Sequence, residues 1–231
     1  MIRKLTMLLT LALSICVVTP AAAEPNTVLG ALFHNDGEGF TPPAENKALQ
    51  ALLAKHPALT FFEACGVGDT AEIARQLKRD PSLATAWTDF GWSALHLAAF
   101  SGVPDALKLV LGRGIDINVR ARSKFKNSPL QAALLAGQLA TAKLLLAQGA
   151  DPLLRQAHGF TALHEAALLG RRDLVDLLLA AGAEPNSRGD DGRTAVTEAL
   201  RGNHVELASY LRSKGARGAE IVADLKAAPT D

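Results

Sequence analysis

The sequence predicts an all-α protein built from stacked helix–turn–helix repeats. A phrase that opens with Ser or Thr recurs at intervals of 35, 33 and 33 residues, beginning at Ser93, Ser128, Thr161 and Thr194. A Gly-Ile or Gly-Ala pair keeps the same intervals and begins at Gly114, Gly149, Gly182 and Gly215. Two phrases locked to one period indicate a repeat array in which each unit contacts only its neighbours.

Each unit is predicted to hold two short helices. The Ser or Thr that opens the phrase is suited to an N-cap, because its side-chain oxygen can accept a hydrogen bond from the first turn. The first helix is expected to end in the left-handed conformation, for which Gly is best and Asn next best. The residues at that position are Gly102, Gly137, Gly170 and Asn203. A loop with hairpin potential then leads from the second helix to the next unit.

Residues 1–23 are predicted to be a secretory signal peptide. Two basic residues precede an apolar run over residues 5–18, and three alanines at 21–23 provide a small-residue cleavage site. The alternative is a membrane anchor, but the run is shorter than the roughly 20 residues that a membrane span needs, so cleavage after Ala23 is favoured. No other segment is long and apolar enough to span a bilayer, so no membrane span is expected after cleavage. A lipoprotein attached through Cys16 is a second interpretation, because Leu13-Ser14-Ile15-Cys16 is similar to a lipobox.

The remaining chain is predicted to fall into three parts. Residues 24–54 are expected to form an irregular leader followed by a capping helix, and 222–231 form a C-terminal tail. Repeats are expected over 55–221, as a degenerate unit and four clear ones, with the bounds 55–87, 88–122, 123–155, 156–188 and 189–221. Arg212 occupies the position that Leu179 holds one unit earlier, so the array is expected to end with the last unit.

The repeated phrases resemble ankyrin repeats. Ser93-Ala94-Leu95-His96-Leu97-Ala98-Ala99 and Thr161-Ala162-Leu163-His164-Glu165-Ala166-Ala167 match the Thr-Pro-Leu-His-x-Ala-Ala phrase of that family. Gln131 and Thr197 replace the His in the other copies. The resemblance implies an ankyrin-repeat solenoid of about five stacked helix–turn–helix units with hairpin-like loop fingers, a concave recognition face and protein–protein binding. With the signal peptide it implies an exported bacterial member in the periplasm.

Composition and charge restrict the classes of partner. The formal net charge is +1 and becomes −1 when residues 1–23, which hold two bases and no acid, are removed. A balance so near zero disfavours nucleic acid as a partner. Cys65 would be the one cysteine left in the mature chain, so no internal disulfide is expected. A monomer is expected.

No catalytic, cofactor-binding or metal-binding site is predicted. The chain lacks the glycine-rich phosphate loops and the H-E-x-x-H and G-x-S-x-G phrases. His96 and His164 occupy equivalent positions, and the resemblance implies that this His ties the turn together. Cys65 is interpreted as small apolar packing, and residues 189–192 as a turn at a fingertip rather than a calcium loop.

An aromatic surface is predicted around the fingers. Both Trp residues and four of the eight Phe residues fall on the fingers or on the exposed edge of the first helices. They are Trp87, Phe90, Trp92, Phe100, Phe125 and Phe160. Exposed rings in such a cluster would mark a partner site, and the alternative is that some of them pack between adjacent fingers. On the first interpretation, replacing Trp92 and Phe125 with Ala should abolish partner capture without affecting the fold.

Basic residues are predicted to border the aromatic surface. Arg122, Arg155 and Arg188 occupy one repeat position, 33 residues apart, and Trp87 occupies it one unit earlier. Lys124 lies beside the first of them, and the period-2 spacing over residues 120–126 would place four cations on one face of a strand. Two extra residues in this unit should lengthen its finger. The cations are suited to carboxylates of an acidic partner, and the alternative is a solvated charged edge.

The sequence therefore predicts a non-enzymatic module that binds a protein partner through an aromatic, Arg-bordered face. Three further interpretations stay open. One is an inhibitor or immunity-type protein that blocks an envelope enzyme, another is an enzyme that uses Cys65 or a histidine, and the third is a purely structural scaffold of the envelope. The identity of the partner does not follow from the residues.

Overall fold

The computed structural model describes residues 28–32, 47–55 and 58–218. Five helix pairs stack side by side, and each pair is one repeat unit. The first helices of the units are α3 (Phe61–Val67), α5 (Ala94–Ser101), α7 (Pro129–Leu135), α9 (Ala162–Leu168) and α11 (Ala195–Arg201). The second helices are α4 (Thr70–Arg79), α6 (Pro104–Leu111), α8 (Leu139–Ala147), α10 (Arg172–Ala180) and α12 (Val205–Ser213). The predicted all-α solenoid of about five units is confirmed.

Other regular structure in the described residues is short. The 3-10 helices Pro81–Thr85 and Ala157–Gly159 lie in two of the connecting loops, and one isolated β-bridge joins Trp87 and Ser93. No helix in the described ranges is long and apolar enough to cross a membrane.

Two helices cover the N-terminal end of the array. They are α1 (Val28–Leu32) and α2 (Lys47–Lys55), and α1 contacts both α2 and α3. The predicted capping helix is present, with Leu49 fully buried. The expectation of an irregular leader is wrong at Val28–Leu32, because Val28 and Ala31 find an apolar surface to bury against. The predicted signal peptide, 1–23, and tail, 222–231, lie outside the described residues.

The starts of the first helices follow from their capping residues. In four of the five units, the helix begins at a capping box. The Ser or Thr side chain accepts a hydrogen bond from the backbone N–H of the residue three positions later, or forms a hydrogen bond with the side chain of that residue. That partner in turn accepts the backbone N–H of the Ser or Thr, as between Ser128 N and Gln131 Oε1 at 2.9 Å. In the remaining unit, the degenerate first one, Thr60 and Glu63 form the same box. Each box fixes where its unit begins.

The ends of the first helices confirm the left-handed prediction. Gly102, Gly137 and Gly170 have φ of 78°, 66° and 70°, and Asn203 takes their place with φ of 63°. A second constraint acts at Gly170, because the His204 ring of the next unit lies across it. A Cβ at Gly170 would lie 2.4 Å from His204 Cε1. Small residues at this turn therefore allow adjacent units to stack closely.

The core is a continuous apolar layer between the helix pairs. One position of the first helices is occupied by Leu95, Leu130, Leu163 and Val196, and one position of the second helices by Val110, Leu145, Leu178 and Leu211. All eight are at most 1% exposed. Full burial of a side chain of this size contributes about 1.5–3 kcal/mol. The stack therefore holds the loops in fixed positions relative to one another.

Candidate functional site

The loops between units fold back as hairpin-like fingers. Each is closed by one backbone hydrogen bond from an N–H to a carbonyl, with lengths of 2.8–2.9 Å. We name the loops closed by these bonds finger 1 (88–92), finger 2 (121–127), finger 3 (156–160) and finger 4 (189–193). Finger 2 is two residues longer than the other three, as the sequence predicted.

Neighbouring fingers are joined by backbone hydrogen bonds. Arg122 N–H donates to Gly91 O at 2.8 Å, and Asp190 N–H donates to His158 O at 2.9 Å. Ala157 N–H donates to Phe125 O at 2.8 Å, at positions one repeat before the Asp190 bond. The bond between fingers 1 and 2 has an equivalent donor, the second residue of its finger, but its acceptor is Gly91, one residue later than this register places it. The four fingers thus form one connected edge.

His96 and His164 fasten the fingers to the helices, as predicted. Ser93 N–H and Oγ lie 3.3 and 2.8 Å from His96 Nδ1, and His96 Nε2 lies 3.0 Å from Asn127 O. A carbonyl oxygen only accepts, so Nε2 carries the proton. Burial lowers the pKa of His96 to about 4, against a smaller opposing effect of the Asn127 hydrogen bond. His164 makes the same bonds to Thr161 and Arg193 O, and burial lowers its pKa as well.

Most of the predicted aromatic surface is buried. Trp92, Phe100, Phe125 and Phe160 are 3%, 5%, 8% and 6% exposed, so the expectation of four exposed rings is wrong. The fingers close over the rings. Trp92 meets Phe100 edge to face at 5.6 Å, and the Phe160 ring lies against Gly189 of finger 4. The alternative interpretation, packing within and between fingers, accounts for these residues.

Two of the predicted aromatic residues have part of their surface exposed to solvent. Trp87 and Phe90 are half-buried at the edge of finger 1. The Arg122 guanidinium lies over the Trp87 ring, 4.1 Å from its centroid. Phe90 packs 6.3 Å from Trp92, which places it above the buried rings. Some aromatic surface is therefore present, but it is confined to finger 1 and to Trp87, the residue directly before that finger.

The predicted basic residues are all exposed, but residues 120–126 do not form the strand that would place all four cations on one face. This segment turns within finger 2, where Lys126 N–H donates to Ser123 O at 3.2 Å. The cations of this segment still reach solvent, and Lys124 Nζ lies 5.0 Å from the Phe125 ring. The turn replaces a strand because five residues must fit between the closing pair, Ala121 and Asn127.

The three repeated arginines have different surroundings. Arg155 forms an ion pair with Asp190 at 3.0 Å. Arg188 donates to Gly192 O of its own finger at 3.2 Å. Arg122 stacks on Trp87 and forms no ion pair with any described residue. Arg155 and Arg188 directly precede fingers 3 and 4, whereas Arg122 lies inside finger 2, and of the three guanidinium groups one has a free edge and two are already engaged.

Sequence reasoning missed an ionic cluster at the C-terminal end of the first-helix row. Glu198 is 2% exposed, with its two oxygens 2.9 Å from Arg193 and 2.8 Å from Arg201. Arg193 also lies over the Phe160 ring at 4.7 Å. The signal was available in the register, where the equivalent residues change from apolar to acidic: Leu97, Ala132, Glu165 and Glu198.

The remaining chemical candidates have structural surroundings. Cys65 is fully buried, and burial raises the pKa of its thiol. Residues 189–192 form the turn of finger 4. Across the described residues, no three His, Cys, Asp or Glu side chains cluster in a way that could hold a metal ion. A groove of about 390 Å³ lies at the turns of the last two units, lined by Gly170, Arg172, Asn203, His204, Val205, Glu206, Leu207 and Tyr210.

Stacked helix pairs, left-handed turns and joined fingers define an ankyrin-repeat protein. The family model for ankyrin repeats matches residues 44–156, 120–189 and 153–223, which together cover most of the chain. The chain therefore belongs to the ankyrin-repeat family. Domains of this family are generally protein–protein interaction modules and are typically non-enzymatic.

Several proteins contain similar segments. A transient receptor potential cation channel subfamily A member 1 homolog of Caenorhabditis elegans is 36% identical over 43% of this chain and 8% of its own length. A probable E3 ubiquitin-protein ligase of Oryza sativa subsp. japonica is 34% identical over 46% of this chain and 24% of its own. A putative ankyrin repeat protein of Pyrobaculum aerophilum is 42% identical over 32% and 27%. The matches thus span less than a third of each relative, and the similarity concerns the repeats.

Proposed function

We propose that this protein is a non-enzymatic interaction module that binds a protein partner through the exposed edge of its fingers. One observation carries the proposal. Finger 2 is the longest finger, it presents exposed cations with no acidic partner among the described residues, and backbone hydrogen bonds hold it on both sides. A surface held in this way loses little conformational entropy on binding, so more of the contact energy contributes to affinity.

The proposed binding face is smaller than the one predicted from sequence. It comprises the half-buried rings of finger 1 and the exposed cations of the finger edge: Trp87, Phe90, Arg122, Lys124, Arg155 and Arg188. The buried rings support these residues from beneath. Trp92, for example, packs against Phe90 and Phe100 and thereby fixes the base of finger 1.

The test is affinity capture with matched variants. Tagged wild-type protein is incubated with an extract of the source cells, and recovered proteins are identified by mass spectrometry. Arg122→Ala/Lys124→Ala removes two finger cations. Lys143→Ala removes an exposed cation from α8, outside the fingers, and serves as the control.

We expect wild type and Lys143→Ala to recover the partner. The finger variant should fail to recover it, although its helical circular dichroism is unchanged. Equal recovery by all three proteins would contradict the proposed face.

We also propose that the protein is exported to the periplasm. The proposal rests on the basic, apolar and small-residue pattern of residues 1–23. Expression of the full chain, cell fractionation and N-terminal sequencing test it. A mature protein that begins at Glu24 in the envelope fraction is the expected result. A lipid-modified N-terminus at Cys16 would support the lipoprotein interpretation, and an uncleaved cytosolic protein would exclude export.

A further inference from the structure

We infer that Arg122 is a carboxylate-binding residue, that Trp87 positions its guanidinium, and that the partner therefore contributes an acidic polypeptide segment to finger 2. The inference rests on the proposed function and adds the chemistry of the partner. Four observations support it: the stacking of Arg122, the lack of an ion pair, the cations around it and the backbone of Lys126.

The Trp87 ring holds the Arg122 guanidinium while leaving its donors accessible. A guanidinium 4.1 Å from the ring centroid is attracted to the π face and makes its contact with that face. The Arg122 side chain is exposed, and none of its N–H donors bonds an acceptor among the described residues, so they stay available for a planar carboxylate. The group is thus oriented before any ligand arrives.

The other two repeated arginines show what finger 2 lacks. Arg155, directly before finger 3, has Asp190 of finger 4 at 3.0 Å. Finger 1 contains an exposed acid, Asp89, but it makes no ion pair with Arg122. Asp116, on the way into finger 2, accepts the N–H of Asn118. A carboxylate for Arg122 is therefore not supplied by the described part of the chain.

The residues around Arg122 add positive charge. Arg120, Lys124 and Lys126 are exposed, and none of them forms an ion pair in the described residues. By contrast, finger 4 contains Asp190 and Asp191, which pair with arginines. Positive potential is therefore concentrated on one finger, although the whole chain carries a net charge of only +1.

Lys126 lies in an unfavourable backbone conformation. The equivalent positions in the other fingers are Gly91, Gly159 and Gly192, with φ of 87°, 73° and 80°, and Lys126 has φ of 52°. A left-handed non-Gly residue is disfavoured by about 1–2 kcal/mol. Glycine would relieve this strain and remove a cation. A strained residue with a functional side chain is typical of binding sites.

The surroundings favour an acidic polypeptide over a phosphate polymer. Half-buried Trp87 and Phe90 lie beside the cations and provide apolar surface for the side chains next to an acidic residue. Binding to a phosphate polymer depends on many lysines and arginines spread over a basic surface, and finger 4 interrupts that surface with its acids. One bidentate arginine with flanking rings is better suited to a short acidic segment.

The experiment uses an acetylated and amidated hexaglutamate peptide as the probe. Binding to the wild-type chain is measured by titration calorimetry at low ionic strength and by the change in tryptophan emission, to which Trp87 and Trp92 both contribute, with hexaglutamine as the uncharged control. Arg122→Lys keeps the charge and removes the planar fork. Arg172→Lys makes the same change in α10, outside the fingers, at a guanidinium that lies over the Tyr210 ring at 3.9 Å.

We expect Arg122→Lys to weaken hexaglutamate binding by about tenfold or more, since charge-assisted bidentate pairs are strong. Arg172→Lys should leave the affinity within about twofold. Trp87→Leu should weaken binding with an unchanged salt dependence, and Trp87→Tyr should restore it, because the role of Trp87 is to orient a cation that is still present.

Three outcomes would overturn the inference. They are no binding of hexaglutamate to wild type, equal losses in the two lysine variants, and binding of inorganic phosphate or a DNA oligonucleotide as tight as that of hexaglutamate. Partner capture that persists with Arg122→Lys would overturn the carboxylate role and leave the proposed function intact. If Arg122→Lys loses partner capture but still binds hexaglutamate as tightly as wild type, the carboxylate role of Arg122 is contradicted.

Discussion

At the scale of single residues, His96 links stability to pH. Its side chain is fully buried and its pKa is lowered to about 4, while the unfolded chain has the ordinary value near 6.5. The unfolded state therefore binds an extra proton between these values. Stability is complete above pH 6.5 and falls as the pH decreases towards 4, by up to about 3 kcal/mol for this residue.

The variant His96→Gln should reduce this pH dependence. Gln131 already occupies the equivalent position, where its Oε1 accepts Ser128 N–H, so Gln can preserve the capping box. Urea unfolding at about pH 7.5 and about pH 4.5 measures the change. The free energy of unfolding should differ less between the two pH values in His96→Gln than in wild type. An unchanged difference would show that His96 titrates normally in the folded state.

Cys65 gives a test of the enzymatic interpretation. Its thiol is buried and burial raises its pKa, so the reactive thiolate is suppressed in the folded protein. A thiol reagent should modify Cys65 slowly at neutral pH, and at the rate seen in free cysteine only after addition of urea. Rapid labelling of the native chain would support a reactive role for Cys65.

At the scale of the elements, the fingers depend on the rings beneath them. Trp92 is 3% exposed and contacts Phe100 and His96 as well as Phe90. Trp92→Ala should lower the free energy of unfolding by about 3–5 kcal/mol, whereas Trp92→Phe should cost less because most of the ring contact remains. Denaturant unfolding measures both. A wild-type midpoint for Trp92→Ala would restore the interpretation of this ring as an exposed partner contact.

Local sequence rules predicted the elements well and the exposure of the rings poorly. Capping residues and left-handed positions are local, so Thr194 and Asn203 marked the limits of α11 correctly. Burial of Phe160 depends on Gly189, 29 residues later, which allows the ring to lie against finger 4. Register alone places a residue on a finger. It does not say which side of the finger the next loop covers.

The same reason explains the arginines. The 33-residue spacing of Arg122, Arg155 and Arg188 was visible in the sequence, and their exposure was predicted correctly. Their partners were not predicted, because Asp190 and Trp87 lie in neighbouring fingers. The extra length of finger 2 could be read from the spacing, but the turn that replaced the expected strand depends on closure between Ala121 and Asn127.

At the scale of the whole molecule, stability should depend on position along the array. Leu145 and Leu211 are fully buried at equivalent positions, in the third and the last unit. Each Leu→Ala change should cost about 2–5 kcal/mol locally. Because units contact only their neighbours, Leu211→Ala should loosen the last unit, whereas Leu145→Ala should weaken coupling between the two halves.

Hydrogen exchange read by mass spectrometry can separate these effects. In Leu211→Ala, faster exchange should be confined to α11 and α12. In Leu145→Ala, it should extend to α5 and α9, the first helices on either side of that unit. Identical exchange patterns in the two variants would show that the array unfolds as one cooperative block.

The hydrogen bonds between fingers also have a mechanical consequence. One of these bonds joins each pair of neighbouring fingers, so a force that stretches the array acts on them in series. The packing of the helices resists the same force at each junction. Finger 2 meets finger 1 through Arg122 N–H, outside the register that the other two junctions share. Under tension along the axis we expect this junction to yield at a different force from the rest. A partner bound across fingers 1 and 2 would raise the force needed to separate these two fingers.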